Sequence, residues 1–338
     1  MMEIFISFIT NYGLFLAKAL TILIFLILVI NAIAGTKKTK PKGFIQVKSL
    51  NSKFDDIERN VKKDLLDKKS FKLFLKQQKS KKQNNSKKLF ILDFVGNIKA
   101  SEVESLREEI TAIILASESS NDEVLIRLEN AGGTVHEHGL AASQILRLKK
   151  NKIKVTISVD KVAASGGYMM ACTGNKILAA PFSIIGSIGV IAQIPNLNRL
   201  LKEKGVDFEQ HTAGKYKRTV TMFGKTTDQD RKKLKDQLEN IHTLFKNFIS
   251  KERPKVDIEN VATGEYWFGS DAIKLKLVDE IITSDEYILL KKNDYDLINI
   301  KYNFPKTFGE KISSLSSRAF NSIYDNISQK IFEKNIFK

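Results

Sequence analysis

The chain has 338 residues, a net charge of +17 and a single cysteine. A hydrophobic content of 43% excludes a wholly disordered chain, and 28% charged residues exclude a polytopic membrane protein. Cys172 alone excludes an intrachain disulfide framework and any multi-cysteine metal site. The basicity is local: residues 36–90 hold 18 Lys and Arg against 5 Asp and Glu. It belongs to a tether, and the interleaved aromatics of a nucleic-acid surface are missing there.

In chain order, the first element is the run Leu14–Ala34, LFLAKALTILIFLILVINAIA, interrupted only by Lys18 and Asn31. As a helix it would span roughly 31 Å, enough for a bilayer core. Ala32-Ile33-Ala34 resembles a signal-peptide cleavage site. The apolar run is longer than a usual signal core, however, and the positive charge follows it, so residues 1–35 are expected to be an uncleaved single-pass anchor. Lys37, Lys38, Lys40 and Lys42 come next and argue for a cytoplasmic body.

Residues 36–88 are expected to form a basic helical stalk and linker. Phe54, Ile57, Val61 and Leu65 share one helical face, and Ser52 with Asp55 resembles a capping box. KKQNNSKK (81–88) reads as a polar linker. A solvated stalk is the plain reading; contact of its lysines with anionic lipid headgroups is the sharper one.

From Phe90 onward strand and helix patterns alternate: FILDFV, a helix carrying Leu106, Ile110 and Ile113, EVLIRLE, a helix over 136–148, KVTISVD and KILAAPF. A strand is also expected at VDFEQHTA (206–213). The alternation predicts an α/β domain with a largely parallel sheet over 89–290, followed by a C-terminal extension, 291–338.

Three glycine-bearing loops carry the candidate chemistry. Glu129-Asn130-Ala131-Gly132-Gly133 lets backbone N–H groups project, as an oxyanion hole needs. Ala163-Ala164-Ser165-Gly166-Gly167 sets a small nucleophile on a strand-to-helix turn. Gly214-Lys215-Tyr216-Lys217-Arg218 offers a lysine. The histidines are His136, His138, His211 and His242. A Ser-His-Asp triad using His136 or His138 is one option; the spacing does not match a zinc site. A lysine base is the other. It works only when neutral, which burial and nearby cations favour, and the apolar and basic neighbours of Lys217 are expected to supply both.

ENAGG, VDKVAASGGYMMAC, GSIGVIAQ and TAGKYKRT, in that order, resemble the signal peptide peptidase A family of serine proteases (peptidase family S49). The membrane-anchored SohB-type branch is the nearest, over about residues 88–285. The resemblance implies a ClpP/crotonase-like α/β spiral fold behind the transmembrane helix and a Ser-Lys dyad without cofactor. Ser165 would be the nucleophile, Lys217 the general base, Ser187 the partner of the lysine amine, and Gly133 and Gly166 the oxyanion donors. It also implies peptide substrates, apolar signal-peptide-like ones included, a homo-oligomer that completes the groove, and an inner-membrane location with the body outside the cytoplasm, against the vote of Lys37–Lys42. Two departures stand out. Asn130-Ala131 replaces the family's usual Ser-Pro, whose proline stiffens the turn, and Lys276 stands at a usual glycine. A crotonase-like acyl-CoA enzyme and a catalytically decayed membrane scaffold are the rival readings.

Overall fold

The computed structural model describes residues 2–35, 43–80, 87–118 and 121–304. The chain divides into two units, Met1–Phe44 with Phe304–Lys338, and Ile45–Asn303. In the first unit α1 (Met2–Gly35) contains an exposed stretch, Thr10–Ile27, long and apolar enough to cross a membrane. The basic cluster Lys37–Lys42 and residues 81–86 of the expected linker lie outside the described residues.

The second unit is built on one sheet. Its first elements are β1 (Phe44–Ser49), α2 (Leu50–Leu65), α3 (Lys68–Ser80), β2 (Lys88–Gly96), α4 (Val103–Ala116), β3 (Glu123–Asn130), α5 (Val135–Lys150) and β4 (Lys154–Val159). There follow β5 (Val162–Ala164), α6 (Gly166–Ala171), β6 (Lys176–Ala179), β7 (Ile184–Gly186), α7 (Asn198–Glu203) and α8 (Asp228–Glu252). The unit closes with α9 (Ile258–Val261), β8 (Tyr266–Phe268), α10 (Gly269–Ala272), β9 (Glu280–Ile281), α11 (Ser284–Lys291) and β10 (Asp296–Asn303).

The strands run in the order β1-β10-β2-β3-β4-β6-β9. The pairs from β10 to β9 are parallel. Leu89 to Leu92 of β2 and Val124 to Ile126 of β3 are buried on both faces, the near-continuous apolar pattern of a parallel sheet covered on both sides. Each such side chain contributes about 1.5–3 kcal/mol on burial.

The sheet splits beside β3. Glu123–Arg127 pair with β4, whereas Asn130 at the far end pairs with Ala163 of β5. From there β5, β7 and β8 form a second branch, β7 and β8 running antiparallel. The carboxyl ends of parallel strands diverge at this point, which is where open α/β sheets place ligand sites.

The compact unit is wider than the 89–290 expected. α2 begins a turn earlier than its apolar spacing suggests: Ser49, not Ser52, is the cap and accepts the Ser52 N–H. That start turns Leu50 and Phe54 onto the core around Leu89, Ile91 and Leu297. The Asn51 side chain also bonds the backbone of Lys292, Tyr295 and Leu297. This helix is docked through its first turns, whereas its apolar residues Ile57, Val61 and Leu65 are exposed. On the other side β10, inside the expected C-terminal extension, inserts between β1 and β2. The expected strand at 206–213 does not form; the segment is irregular and exposed, and among the described residues no strand pairs with it. Lys276, at the usual glycine, holds φ = 61°, a left-handed conformation costing a side chain about 1 kcal/mol.

Glu109 of α4 is buried against β10, its Oε1 accepting the Tyr302 N–H at 2.8 Å. Burial pushes its carboxyl up from 4.5 to about 7, with the charge of Asp93 adding to the effect. The raised value means the folded state binds a proton that the unfolded chain releases. Stability from this group is complete below pH 4.5 and lost as pH rises through 7. Glu109→Gln keeps the acceptor oxygen and removes the titration. In urea unfolding of the detergent-solubilised chain, the wild type should lose roughly 3 kcal/mol relative to Glu109→Gln between pH 4.5 and 8.

Candidate active site

The site grows out of the strand–turn–helix β5–Ser165–α6. Ser165 has φ = 52° and ψ = −118°, a conformation disfavoured for any side chain and held here by backbone bonds on both sides. Its N–H donates to the Gly186 carbonyl at 2.8 Å, and its carbonyl accepts the Met169 N–H at 3.0 Å. Tyr168, fully buried, fixes the following helix by donating its hydroxyl to the Leu277 carbonyl. Burial raises the Cys172 thiol above its ordinary value, so the one cysteine is an inert part of the packing.

Backbone crowding around Ser165 explains the glycines. Gly132 has φ = 93°, and a Cβ there would stand 2.7 Å from the Ser165 Cβ and 3.0 Å from the Gly166 nitrogen. Gly166 could not carry a side chain either, because its Cβ would meet the His138 ring at 2.4 Å. The loop after β3 therefore lies directly against the turn that bears the serine. Among the described residues neither the Gly133 nor the Gly166 N–H is committed to a protein acceptor, which leaves both able to receive a developing oxyanion.

Ser187 follows the strand paired with β5. Val162, Ala163 and Ala164 stand opposite Ile184, Ile185 and Gly186, so the two serines each come one residue after a matched pair. Ser187 also has a positive φ, 49°, and its N–H donates to the Glu265 carbonyl at 2.6 Å. The Trp267 ring packs over Gly186 and fixes this strand end from behind.

The third expected member is not drawn in. Lys217 sits on an exposed turn, its N–H bonded to the Gly214 carbonyl at 3.1 Å. Its side chain makes no hydrogen bond or ion pair among the described residues, neither with Ser165 nor with Ser187. The burial expected from its apolar neighbours is absent from the single chain. Tyr216 and Phe223 are themselves exposed, and Lys215 and Lys233 flank the Tyr216 ring instead. The surrounding segment is held to itself: the Leu197 N–H donates to Met222, and the Asn196 and Asn198 amides to Thr221, Gly224 and Phe223.

Histidine is not positioned as the base. His136 is exposed beside Glu137, 3.8 Å away. His138 is fully buried, with Nε2 3.0 Å from Asn130 Oδ1 and Nδ1 2.9 Å from the Thr134 carbonyl oxygen. Neither nitrogen is free to take a proton from Ser165. Sequence reasoning missed this Asn130–His138 pair and the role of Gly132. The one available signal was an Asn two residues before a glycine, the spacing of a turn closed by its own side chain.

Comparison with known proteins bears on the family of the chain. The family model "Peptidase family S49" matches residues 147–297, and "Peptidase family S49 N-terminal" matches residues 7–145. The chain is 49% identical over 319 residues to a probable protease SohB of Buchnera aphidicola subsp. Schizaphis graminum, covering 90% of this chain and 93% of the relative. It is 44% identical to the probable protease SohB of Haemophilus influenzae, over 95% and 96%. A putative signal peptide peptidase SppA of Enterococcus faecium is 28% identical over 48% of each chain. With its mixed α/β sheet and these relatives, the chain belongs to peptidase family S49, whose fold is ClpP-like.

Proposed function

We propose that the chain is a membrane-anchored serine endopeptidase that uses a Ser165–Lys217 dyad and an acyl-enzyme intermediate. The observation that carries it is the strained Ser165 turn, pressed against the Gly132–Gly133 loop beside two uncommitted N–H groups. Neutral Lys217 takes the hydroxyl proton as Ser165 Oγ attacks the peptide carbonyl; the ammonium then protonates the leaving amine. Ser187 orients the lysine amine. The Gly133 and Gly166 N–H groups stabilise the tetrahedral oxyanion, each worth about 3 kcal/mol. Lysine-activated water releases the acyl group.

The arm over residues 187–227 exposes Ile191, Leu200, Phe208, Met222 and Phe223. That much uncovered apolar surface supports packing of the arm against a second copy, which would exclude water from Lys217 and complete the groove. Apolar peptides resembling signal-sequence fragments are the proposed substrates, in line with the name of the SppA relative. Exposed lysines of α3, with Leu73 exposed among them, support contact with anionic headgroups. α1 supports anchoring, and the inner membrane with the body on its outer face is the proposed placement. External protease added to spheroplasts should then digest the body before lysis; protection until lysis would place it in the cytoplasm. The substrate class is tested on full-length chain in detergent. An apolar signal-sequence peptide should be cleaved at least tenfold faster than a charged, water-soluble one, and equal rates would refute the apolar preference.

A further inference from the structure

We propose that Asn130 and His138 form a positioning device that holds the Gly132–Gly133 loop in its oxyanion-binding shape, replacing the stiffness that proline gives the Ser-Pro-Gly-Gly form of this turn. The inference rests on the reading of Ser165 as nucleophile.

Asn130 is the last residue of β3 and only 1% exposed. Its Oδ1 accepts the Gly132 N–H at 2.7 Å and also faces His138 Nε2 at 3.0 Å. The backbone N–H can only donate, so the oxygen must point toward the loop. His138 Nε2 must then carry its hydrogen to reach the same oxygen. This closes a side-chain turn across Ala131, a residue that does nothing to restrict φ itself.

The arrangement has a visible cost. Asn130 Nδ2 is buried without a partner among the described residues, packed where a Cβ on Gly96 would stand 2.1 Å away. An unmade buried donor costs about 1–3 kcal/mol. A serine or alanine at 130 would avoid that cost, so the orientation serves the loop, not the stability of the core.

The same network reaches both oxyanion donors. Asn130 fixes the loop that bears Gly133, while the His138 ring lies beneath Gly166, in contact with the only side on which that residue could carry a Cβ. With the ring hydrogen on Nε2, Nδ1 has none to give the Thr134 carbonyl oxygen 2.9 Å away, so the ring is held through Asn130, while the Thr134 N–H is tied to the Ile98 carbonyl at 3.0 Å. The two N–H groups are thus held to a common side-chain frame. A misplacement of about 1 Å in such a site costs on the order of 100-fold in rate.

The test is steady-state peptide hydrolysis by the full chain in detergent, with thermal melts and the rate of Ser165 phosphonylation measured in parallel. Asn130→Ser should lower kcat about 10- to 100-fold with KM within threefold, and slow phosphonylation by a similar factor. Adding Ala131→Pro to that variant should restore kcat to within about threefold of wild type, because proline supplies the missing restriction. His138→Gln, whose amide N–H can reach the same oxygen, should keep most of the activity, and His138→Leu should behave as Asn130→Ser. Wild-type kcat in Asn130→Ser, a loss confined to KM, or a double variant no better than the single one would overturn the proposal. Phosphonylation also separates the two readings. Absence of any adduct at Ser165 in the wild type defeats the nucleophile assignment, whereas normal labelling in Asn130→Ser defeats only the positioning role.

Discussion

Ser165→Ala should abolish peptide hydrolysis, with kcat falling by about 10⁴-fold or more, and leave the fold intact. The size of the loss follows from the role. Without an attacking oxygen, the oxyanion donors and binding contacts alone give only a small residue of catalysis. The structural indifference follows from the surroundings. The contacts that fix the turn are made by the Ser165 backbone, through Gly186 and Met169, and alanine keeps both. The unfolding free energy should shift by less than about 0.5 kcal/mol. Urea unfolding beside the kinetic assay checks both halves; hydrolysis persisting in the purified variant would remove Ser165 from the mechanism.

Lys217→Ala and Lys217→Arg should each lose activity by about 10³-fold or more. Arginine preserves the positive charge and most of the reach, but a guanidinium does not give up its proton under any condition the enzyme meets. A lysine retained for its charge alone would tolerate the exchange. Because the nucleophile and base act as a unit, Ser165→Ala/Lys217→Ala should be no slower than either single variant. Lys217 is exposed and makes no side-chain bond among the described residues, so melting temperatures should hardly move. Substantial activity in Lys217→Arg would place the base elsewhere.

The parts of this molecule legible in its sequence are those written in local pattern. The apolar run at the N-terminus, the buried strands β2, β3 and β4, and the glycine loops that follow β3 and β5 all carry periodicity or turn chemistry. The structure forms each of them. Pairing was less accessible. That β10 inserts beside β2, and that Leu50 and Phe54 turn α2 onto the core, depends on contacts between segments more than 200 residues apart. No window of sequence displays such contacts. VDFEQHTA shows the converse: it has the alternation of a strand, but a strand needs an edge to pair with, and among the described residues none pairs with it.

The site divides along the same line. Ser165 and its glycines are legible because close backbone approach leaves few residue choices. The link from Asn130 to His138 is not, because it depends on α5 folding back to set a ring beneath Gly166. The burial expected around Lys217 was inferred from neighbours in sequence. Those neighbours are exposed in the single chain, so adjacency in sequence did not translate into burial.

The central claim is that Ser165 is a nucleophile activated by Lys217. The most direct measurement is intact-mass analysis and peptide mapping of the full chain in detergent after treatment with a fluorophosphonate. One adduct per chain is expected, on Ser165, absent from Ser165→Ala and formed at least 100-fold more slowly in Lys217→Ala. An unmodified Ser165 in chain that still cleaves peptide, or labelling at the wild-type rate in Lys217→Ala, would contradict it.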